Sequence, residues 1–176
     1  MFYRSRSSPQ SFVPVLICLT LLVFRGLSQA QTATTKAVVI HSYGGPDALK
    51  VEDVPRLVPK EDEMLIRVIA ASVNPVDVAI RKGYLAELIG NKFPLILGMD
   101  ASGIVEKTGA KITKFKDGDP VYAFFTLASE GGYAELVTAK ENEVASKPKA
   151  VTYTQAAAVP AAGSTAWQVL VDVAKL

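Results

Sequence analysis

The segment PLILGMDASGIV, residues 94–105, decides the fold of this chain. Gly98 marks a turn, and residues 100–107 that follow it have the apolar, β-branched character of a strand. Similar short apolar runs lie on both sides of it, at residues 36–41, 49–54, 64–73, 120–125 and 132–139. Because Gly, Pro or Asp residues separate these runs, the sequence predicts a mainly β domain built from short strands.

Helices are predicted at two places. Residues 75–82 favour a short helix, because proline is tolerated in the first helical turn. Near the C-terminus, Thr152 and Gln155 have the spacing of a capping box and open a helix. We expect residues 160–163, which contain a proline and a glycine, to stop that helix and Ser164 to cap a second one.

Composition excludes several classes of protein. The chain has 176 residues, of which 49% are hydrophobic and 20% charged, so it is not a disordered chain. A single cysteine, Cys18, and a single histidine, His41, exclude a disulfide framework and a Cys-based zinc site. Three of the 19 basic residues lie in the first 30 positions, and the remainder is nearly neutral. No nucleic-acid partner is expected.

Residues 1–30 have the organisation of a cleaved signal peptide. Arginines at positions 4 and 6 precede the apolar run 12–24, and the small-x-small site Ser28-Gln29-Ala30 follows. The run is shorter than the roughly 20 residues that a spanning helix needs, so no stable membrane span is expected and an uncleaved anchor is the weaker alternative. The protein is therefore expected to be exported, periplasmic or secreted. If the start codon is assigned too far upstream, it is cytoplasmic.

Five motifs, including the segment 94–105, occur in a fixed order. They are ASVNPVD with IRKGY (71–77 and 80–84), PLILGMDASGIV (94–105), GDPVY (118–122), GGYAE (131–135), and the alanines 156–157 leading to TAW (165–167). In order and spacing they resemble the catalytic half of the medium-chain dehydrogenase/reductase superfamily. The most similar branch is the zinc-independent, zeta-crystallin-like quinone oxidoreductases, and the resemblance covers residues 36–176.

This resemblance implies a GroES-like, partly open β-barrel with short helices, usually followed by a Rossmann domain that binds NADPH. The implied reaction is hydride transfer to a quinone or an α,β-unsaturated carbonyl compound. Zinc-dependent members have a cysteine at the position of Asn74 and a His-Glu pair at Met99-Asp100. They also carry a Cys-rich lobe where this chain has only residues 124–130. No zinc is therefore expected.

Without a metal, hydrogen-bond donors must meet the negative charge that develops on the substrate oxygen. The resemblance places Asn74 beside the nicotinamide and the substrate, where its amide could donate; the alternative is a turn residue before Pro75. Asp77 either orients Asn74 or caps the short helix. Tyr84 is a candidate proton or hydrogen-bond donor, with packing of an aromatic ring on the surface as its alternative.

Three more residues complete the predicted site. Met99 and Asp100 stand where zinc ligands stand in other members, and we predict that they line the substrate cleft. A hydrogen-bonded aspartate at the start of a strand is the alternative for Asp100. Thr165 begins the helix that leads towards the cofactor domain, and its hydroxyl is expected near the nicotinamide; helix capping is the competing explanation.

The predicted organisation is a signal peptide (1–30), a GroES-like catalytic domain (31–150), and linking helices (151–176) towards an absent nucleotide-binding domain. No G-x-G-x-x-G phosphate-binding turn occurs in the sequence. We therefore expect a truncated form of an NADPH-dependent reductase that is inactive by itself. At full length a homodimer is one expected state. The alternative is a non-catalytic exported β-barrel that binds a partner and has lost its cofactor domain.

Overall fold

The structure is a computed structural model that describes residues 33–127 and 130–176. The predicted signal peptide lies outside these residues. Within the described part of the chain, no helix is both long enough and apolar enough to cross a membrane.

Two antiparallel sheets form the body of the domain. One has the strand order β2-β1-β4 and the other β7-β3-β5-β6-β8. The strands are β1 (Thr34–Ile40), β2 (Lys50–Pro55), β3 (Glu63–Ala71), β4 (Leu95–Ile96), β5 (Asp100–Thr108), β6 (Pro120–Phe124), β7 (Leu136–Lys140) and β8 (Val144–Ser146).

The chain just before β7 joins the two sheets. The N–H of Val38 in β1 donates to the carbonyl of Tyr133 at 2.7 Å, and the N–H of Glu135 donates to the carbonyl of Lys36 at 2.9 Å. These bonds join β1 of the smaller sheet to the segment that leads into β7 of the larger one. The predicted GroES-like, partly open barrel is therefore confirmed. The strand predicted at 132–139 begins later, because residues 131–135 make this single bridge before regular pairing with β3 starts.

The helices are short and lie outside the sheets. They are α1 (Pro75–Arg81), α2 (Ala86–Ile89), α3 (Tyr153–Ala157) and α4 (Pro160–Trp167), with 3₁₀ turns at Pro46–Ala48 and Glu141–Glu143 and a π-helical segment at Gln168–Val173. The predictions for α1 and α3 are confirmed, and Thr152 accepts the N–H of Gln155 as a cap.

The predicted start of the last helix is wrong. Helix α4 begins at Pro160, and neither Pro160 nor Gly163 interrupts it. Proline is compatible with the first helical position because it needs no hydrogen-bond acceptor there. The next N–H, of Ala161, finds its acceptor on the distant carboxylate of Asp100, so the first turn needs no cap at Ser164.

Two apolar clusters fill the barrel. The larger one is formed mainly by side chains of the five-stranded sheet. It includes six residues that are essentially inaccessible to solvent: Met64, Ile66, Val105, Val121, Phe125 and Val137. The smaller one contains Ile40, Ile80, Leu97 and Met99, and packs helix α1 against the end of the barrel. The segment that links β4 to β5 therefore has an apolar anchor on the side that faces α1.

Strands β3 and β5 approach each other closely at Gly103. A Cβ atom at this position would overlap the backbone carbonyl of Arg67, an atom that cannot move without displacing β3. The same pair of strands shows a shift of register between Val68 and Ala70, next to this contact.

We expect Gly103→Ala to lower the free energy of unfolding by about 1–3 kcal/mol or more, because a core that is already closed must shift to admit the methyl group. Gly44→Ala is the matched control: its Cβ would meet nothing nearer than 3.5 Å, and its effect should stay within about 0.5 kcal/mol. Urea unfolding of the two variants measures the difference, and equal midpoints would contradict the close approach.

Candidate active site

A fully buried carboxylate stands at the start of β5. Asp100 is 0% exposed, and three donors from two separate parts of the chain reach it. Its Oδ2 accepts the Ser72 hydroxyl at 2.8 Å and the side-chain N–H of Asn74 at 3.0 Å. Its Oδ1 accepts the backbone N–H of Ala161 at 2.9 Å. Both oxygens are thus compensated by the protein itself, as a buried carboxylate requires.

A second buried carboxylate holds the backbone on the other side of Asn74. Asp77 is 2% exposed and lies in the first turn of α1. Its Oδ2 accepts the backbone N–H of Asn74 at 2.8 Å and the Tyr133 hydroxyl at 3.0 Å. Its Oδ1 accepts the N–H groups of Gly98 and Met99 at 3.2 and 3.1 Å. Asp77 therefore fixes both the position of Asn74 and the turn that enters β5.

The Tyr133 ring depends on the glycine that it covers. Gly98 has φ +108°, and a Cβ there would come within 2.6 Å of the ring. Burial raises the pKa of the Tyr133 phenol, and the Asp77 carboxylate beside it raises that pKa further. The phenol therefore stays protonated, and its hydroxyl donates a hydrogen bond to Asp77.

The predicted site residues separate into a connected group and a distant one. Asn74, Asp77 and Asp100 belong to one hydrogen-bonded network, and Asn74 itself is half-buried. The Nδ2 of Asn74 donates to both Asp100 and the Ser72 hydroxyl, the latter at 3.1 Å. The predicted donation from this amide to a substrate oxygen stays a prediction, and both of its hydrogens are engaged within the chain here.

Tyr84 lies outside this network. Its side chain is 73% exposed, and the Nζ of Lys82 lies 5.7 Å from the centre of its ring. Met99 is buried in the smaller apolar cluster, to which its side chain contributes packing. Their predicted roles as a proton donor and as a cleft residue stay predictions.

Thr165 is connected to the network through one residue. Its hydroxyl donates to the carbonyl of Ala161 at 2.7 Å, and the N–H of the same Ala161 donates to Asp100. Thr165 is exposed one turn into α4, with its oxygen lone pairs still available as acceptors.

Two side chains of the network had no role in the sequence-based prediction. Ser72 and Tyr133 both belong to the recognised motifs, and both contact the buried carboxylates directly. For Ser72, the signal was a small hydroxyl two residues before Asn74 at the end of an apolar strand. For Tyr133 there was none, because 56 residues separate it from Asp77.

The side chains that could ligate a metal ion are few around this site in the described part of the chain. Within residues 33–127 and 130–176, no group of three or more His, Cys, Asp or Glu side chains is placed to hold a metal ion. Both carboxylate oxygens of Asp100 accept hydrogen bonds from N–H or O–H groups of the chain.

Comparisons with known proteins agree with this geometry. Residues 60–149 match the alcohol dehydrogenase GroES-like domain. The spinach chloroplastic quinone-oxidoreductase homolog is 42% identical over 133 residues, which cover 76% of this chain and 40% of that protein. The Arabidopsis thaliana chloroplastic NADPH-dependent alkenal/one oxidoreductase is 40% identical over 145 residues, covering 77% of this chain and 37% of that protein.

A solved structure extends the similarity to three dimensions. The quinone oxidoreductase from Coxiella burnetii matches with a TM-score of 0.75 and 34% identity, over 80% of this chain and 45% of that one. The fold and site therefore define a GroES-like domain of the medium-chain dehydrogenase/reductase superfamily. Within that superfamily the chain is similar to quinone oxidoreductases and their homologues. It spans less than half the length of these relatives.

We expect Tyr133→Phe to lower the free energy of unfolding by about 1–2 kcal/mol, because Asp77 loses one of its four donors in a buried setting. Tyr84→Phe removes the same hydroxyl from an exposed ring and should change stability by less than about 0.5 kcal/mol. Chemical denaturation of both variants measures the contrast. Equal losses would mean that the hydroxyl of Tyr133 does not support Asp77.

Proposed function

We propose that this chain is the substrate-side, GroES-like part of a zinc-independent, NADPH-dependent oxidoreductase that transfers a hydride to a quinone or an α,β-unsaturated carbonyl compound. The observation that carries the proposal is the hydrogen-bonded network of Asp100, Ser72 and Asn74, in which Asn74 and Asp100 stand where the resemblance places ligands of zinc-dependent members. A carboxylate whose oxygens are occupied by internal donors is poorly suited to bind zinc, and an amide replaces the thiolate beside it.

Two residues of this chain, Asn74 and Thr165, have side chains that suit contact with a nicotinamide nucleotide. Asn74 is half-buried, and with its Nδ2 turned to Ser72 and Asp100 its side chain presents Oδ1 as a hydrogen-bond acceptor. Such an acceptor suits the hydroxyl or carboxamide N–H groups of a nicotinamide riboside. Thr165 offers its lone pairs one turn into α4. We propose these two residues as the contacts of this chain with NADPH; when bound, NADPH supplies the hydride.

The reaction adds one hydride and one proton to the substrate. A quinone becomes a hydroquinone, and an enone becomes the saturated carbonyl compound, while NADPH is oxidised to NADP⁺. Tyr84 is proposed as the source of the proton, because its exposed hydroxyl can be resupplied from water. Met99 and Asp100 are proposed to line the substrate cleft from its buried side.

The names of the relatives support two substrate classes. One relative is called a quinone-oxidoreductase homolog and another an alkenal/one oxidoreductase. Both classes are conjugated carbonyl compounds that accept a hydride and place negative charge on an oxygen. The proposed substrate is therefore such a compound, of small size.

The decisive experiment begins with the coding sequence beyond Leu176. We expect the reading frame to continue into a strand, a Gly-rich turn and a helix, the elements that cradle a pyrophosphate. The product of that frame should consume NADPH in the presence of 1,4-benzoquinone or an enone, followed at 340 nm. The 176-residue chain alone should not.

In that product, Asn74→Ala should lower kcat/KM by about tenfold or more, the effect of losing one hydrogen bond to a ligand in a partly buried site. Asn142→Ala, at an exposed asparagine in a 3₁₀ turn, is the matched control and should leave kcat/KM unchanged. A stop codon directly after Leu176, with no nicotinamide binding, would favour the non-catalytic binding module. Turnover by the 176-residue chain would contradict the need for a second domain.

We also propose that the protein is exported. The support is the order of charged start, apolar run and small-x-small site in residues 1–30. When the chain is expressed in a cell with a secretory pathway, the exported form should begin at Gln31. N-terminal sequencing checks this. Retention of Met1 on a cytoplasmic product would support an upstream misassignment of the start, and retention of Met1 on a membrane fraction would support an anchor.

A further inference from the structure

The hydrogen bonds around Asp100 have only one possible direction. A carboxylate accepts and does not donate, so the Ser72 hydroxyl must give its one hydrogen to Asp100. The Ser72 oxygen can then only accept from Asn74, and it does so at 3.1 Å. Asn74 therefore has to turn its NH₂ group towards Asp100 and Ser72.

This direction decides which atom Asn74 has left for a ligand. The two hydrogens on Nδ2 have two acceptors inside the network, at 3.0 and 3.1 Å. The atom that remains is the carbonyl oxygen Oδ1, which is a hydrogen-bond acceptor. An amide that turned the other way would place its oxygen against the carboxylate of Asp100 and would be repelled.

The other oxygen of Asp100 reaches a separate part of the fold. Ala161 is the second residue of α4, where a backbone N–H has no carbonyl one turn back to bond with. That N–H donates to Asp100 Oδ1 across 61 residues of sequence. Ala162 is the next residue and occupies a first-turn position of the same kind, and the first N–H to bond back along the chain is that of Gly163, to Val159.

We propose that Asp100 is a positioning residue with two linked effects: it fixes Asn74 as a hydrogen-bond acceptor towards the ligand, and it anchors the first turn of α4 to the same carboxylate. The orientation of Asn74 and the place where α4 leaves the barrel are then set together. A change in either one has to be accommodated at Asp100.

The proposal predicts a specific conflict in Asp100→Asn. The new amide has one oxygen where the carboxylate has two. If that oxygen stays with Ser72 and Asn74, its NH₂ faces the N–H of Ala161 and the helix loses its anchor. If the oxygen turns to Ala161, its NH₂ faces Asn74, which must then rotate to present its own oxygen. The variant cannot keep both links.

Amide hydrogen exchange of the full 176-residue chain, measured by NMR, tests the anchor without any cofactor. After correction for intrinsic rates, the N–H of Ala161 should exchange at least tenfold more slowly than that of Ala162 in the unmodified protein. Asp100→Asn should reduce this ratio several-fold or reorient the side-chain amide of Asn74, seen as a shift of its NH₂ signals. Asp117→Asn, the same change at an exposed carboxylate, should alter neither.

Ser72→Ala separates the two effects. It removes one acceptor of the Asn74 amide and leaves the bond between Asp100 and Ala161 intact, so exchange of the Asn74 NH₂ hydrogens should accelerate while the Ala161 ratio stays. If Asp100→Asn does not fold, two measurements still test the proposal. They are the ratio of Ala161 to Ala162 exchange in the unmodified protein and the exchange rates in Ser72→Ala. A ratio of about one in the unmodified protein, or loss of Ala161 protection in Ser72→Ala, would overturn the proposal.

That Oδ1 faces a nicotinamide rests on the proposed function, and the two proposals fail differently. Protection of Ala161 without NADPH-dependent turnover by the longer product would leave the positioning role intact and overturn the enzyme. Turnover without protection of Ala161 would support the enzyme and overturn the positioning role of Asp100.

Discussion

The structure depends on the buried carboxylate of Asp100, which must have hydrogen-bond donors because it has no access to water. Those donors come from the end of β3, from the residue before α1 and from the first turn of α4. Three segments that are far apart in sequence therefore meet at one point: residues 72–74, the start of β5 and the first turn of α4. The candidate active site is built around that point, and its geometry follows from the need to satisfy two oxygens.

Asp77 performs a complementary task. It binds the backbone N–H of Asn74, whereas Asp100 binds the side chain, so the residue is held at both ends by different carboxylates. Asp77 also binds the two N–H groups of the turn that leads into β5. The position of Asn74 is therefore tied to the position of Asp100 through the backbone as well as through the side chains. Asn74 is therefore held in place by hydrogen bonds at its backbone and at its side chain.

Much of the fold could be read from the sequence, because local patterns report local structure. Runs of alternating or apolar residues between turn residues predicted the strands, and Pro75 marked the start of α1 where the structure has it. The start of α4 was predicted wrongly for a physical reason. Pro160 looks like a helix stop when only neighbours are considered, but the Asp100 carboxylate supplies the acceptor that makes a helix start there.

The sequence by itself determined the class of the domain, through the resemblance of its ordered motifs to a known superfamily, and the lack of cysteine and histidine at positions 74, 99 and 100. These follow from residue identity at fixed motif spacing. Only the tertiary structure decided the direction of the Asn74 amide, the partnership of Tyr133 with Asp77, and the link from Asp100 to Ala161. Those depend on hydrogen bonds between residues 26, 56 and 61 positions apart, and the geometry of such contacts exists only once the barrel has closed.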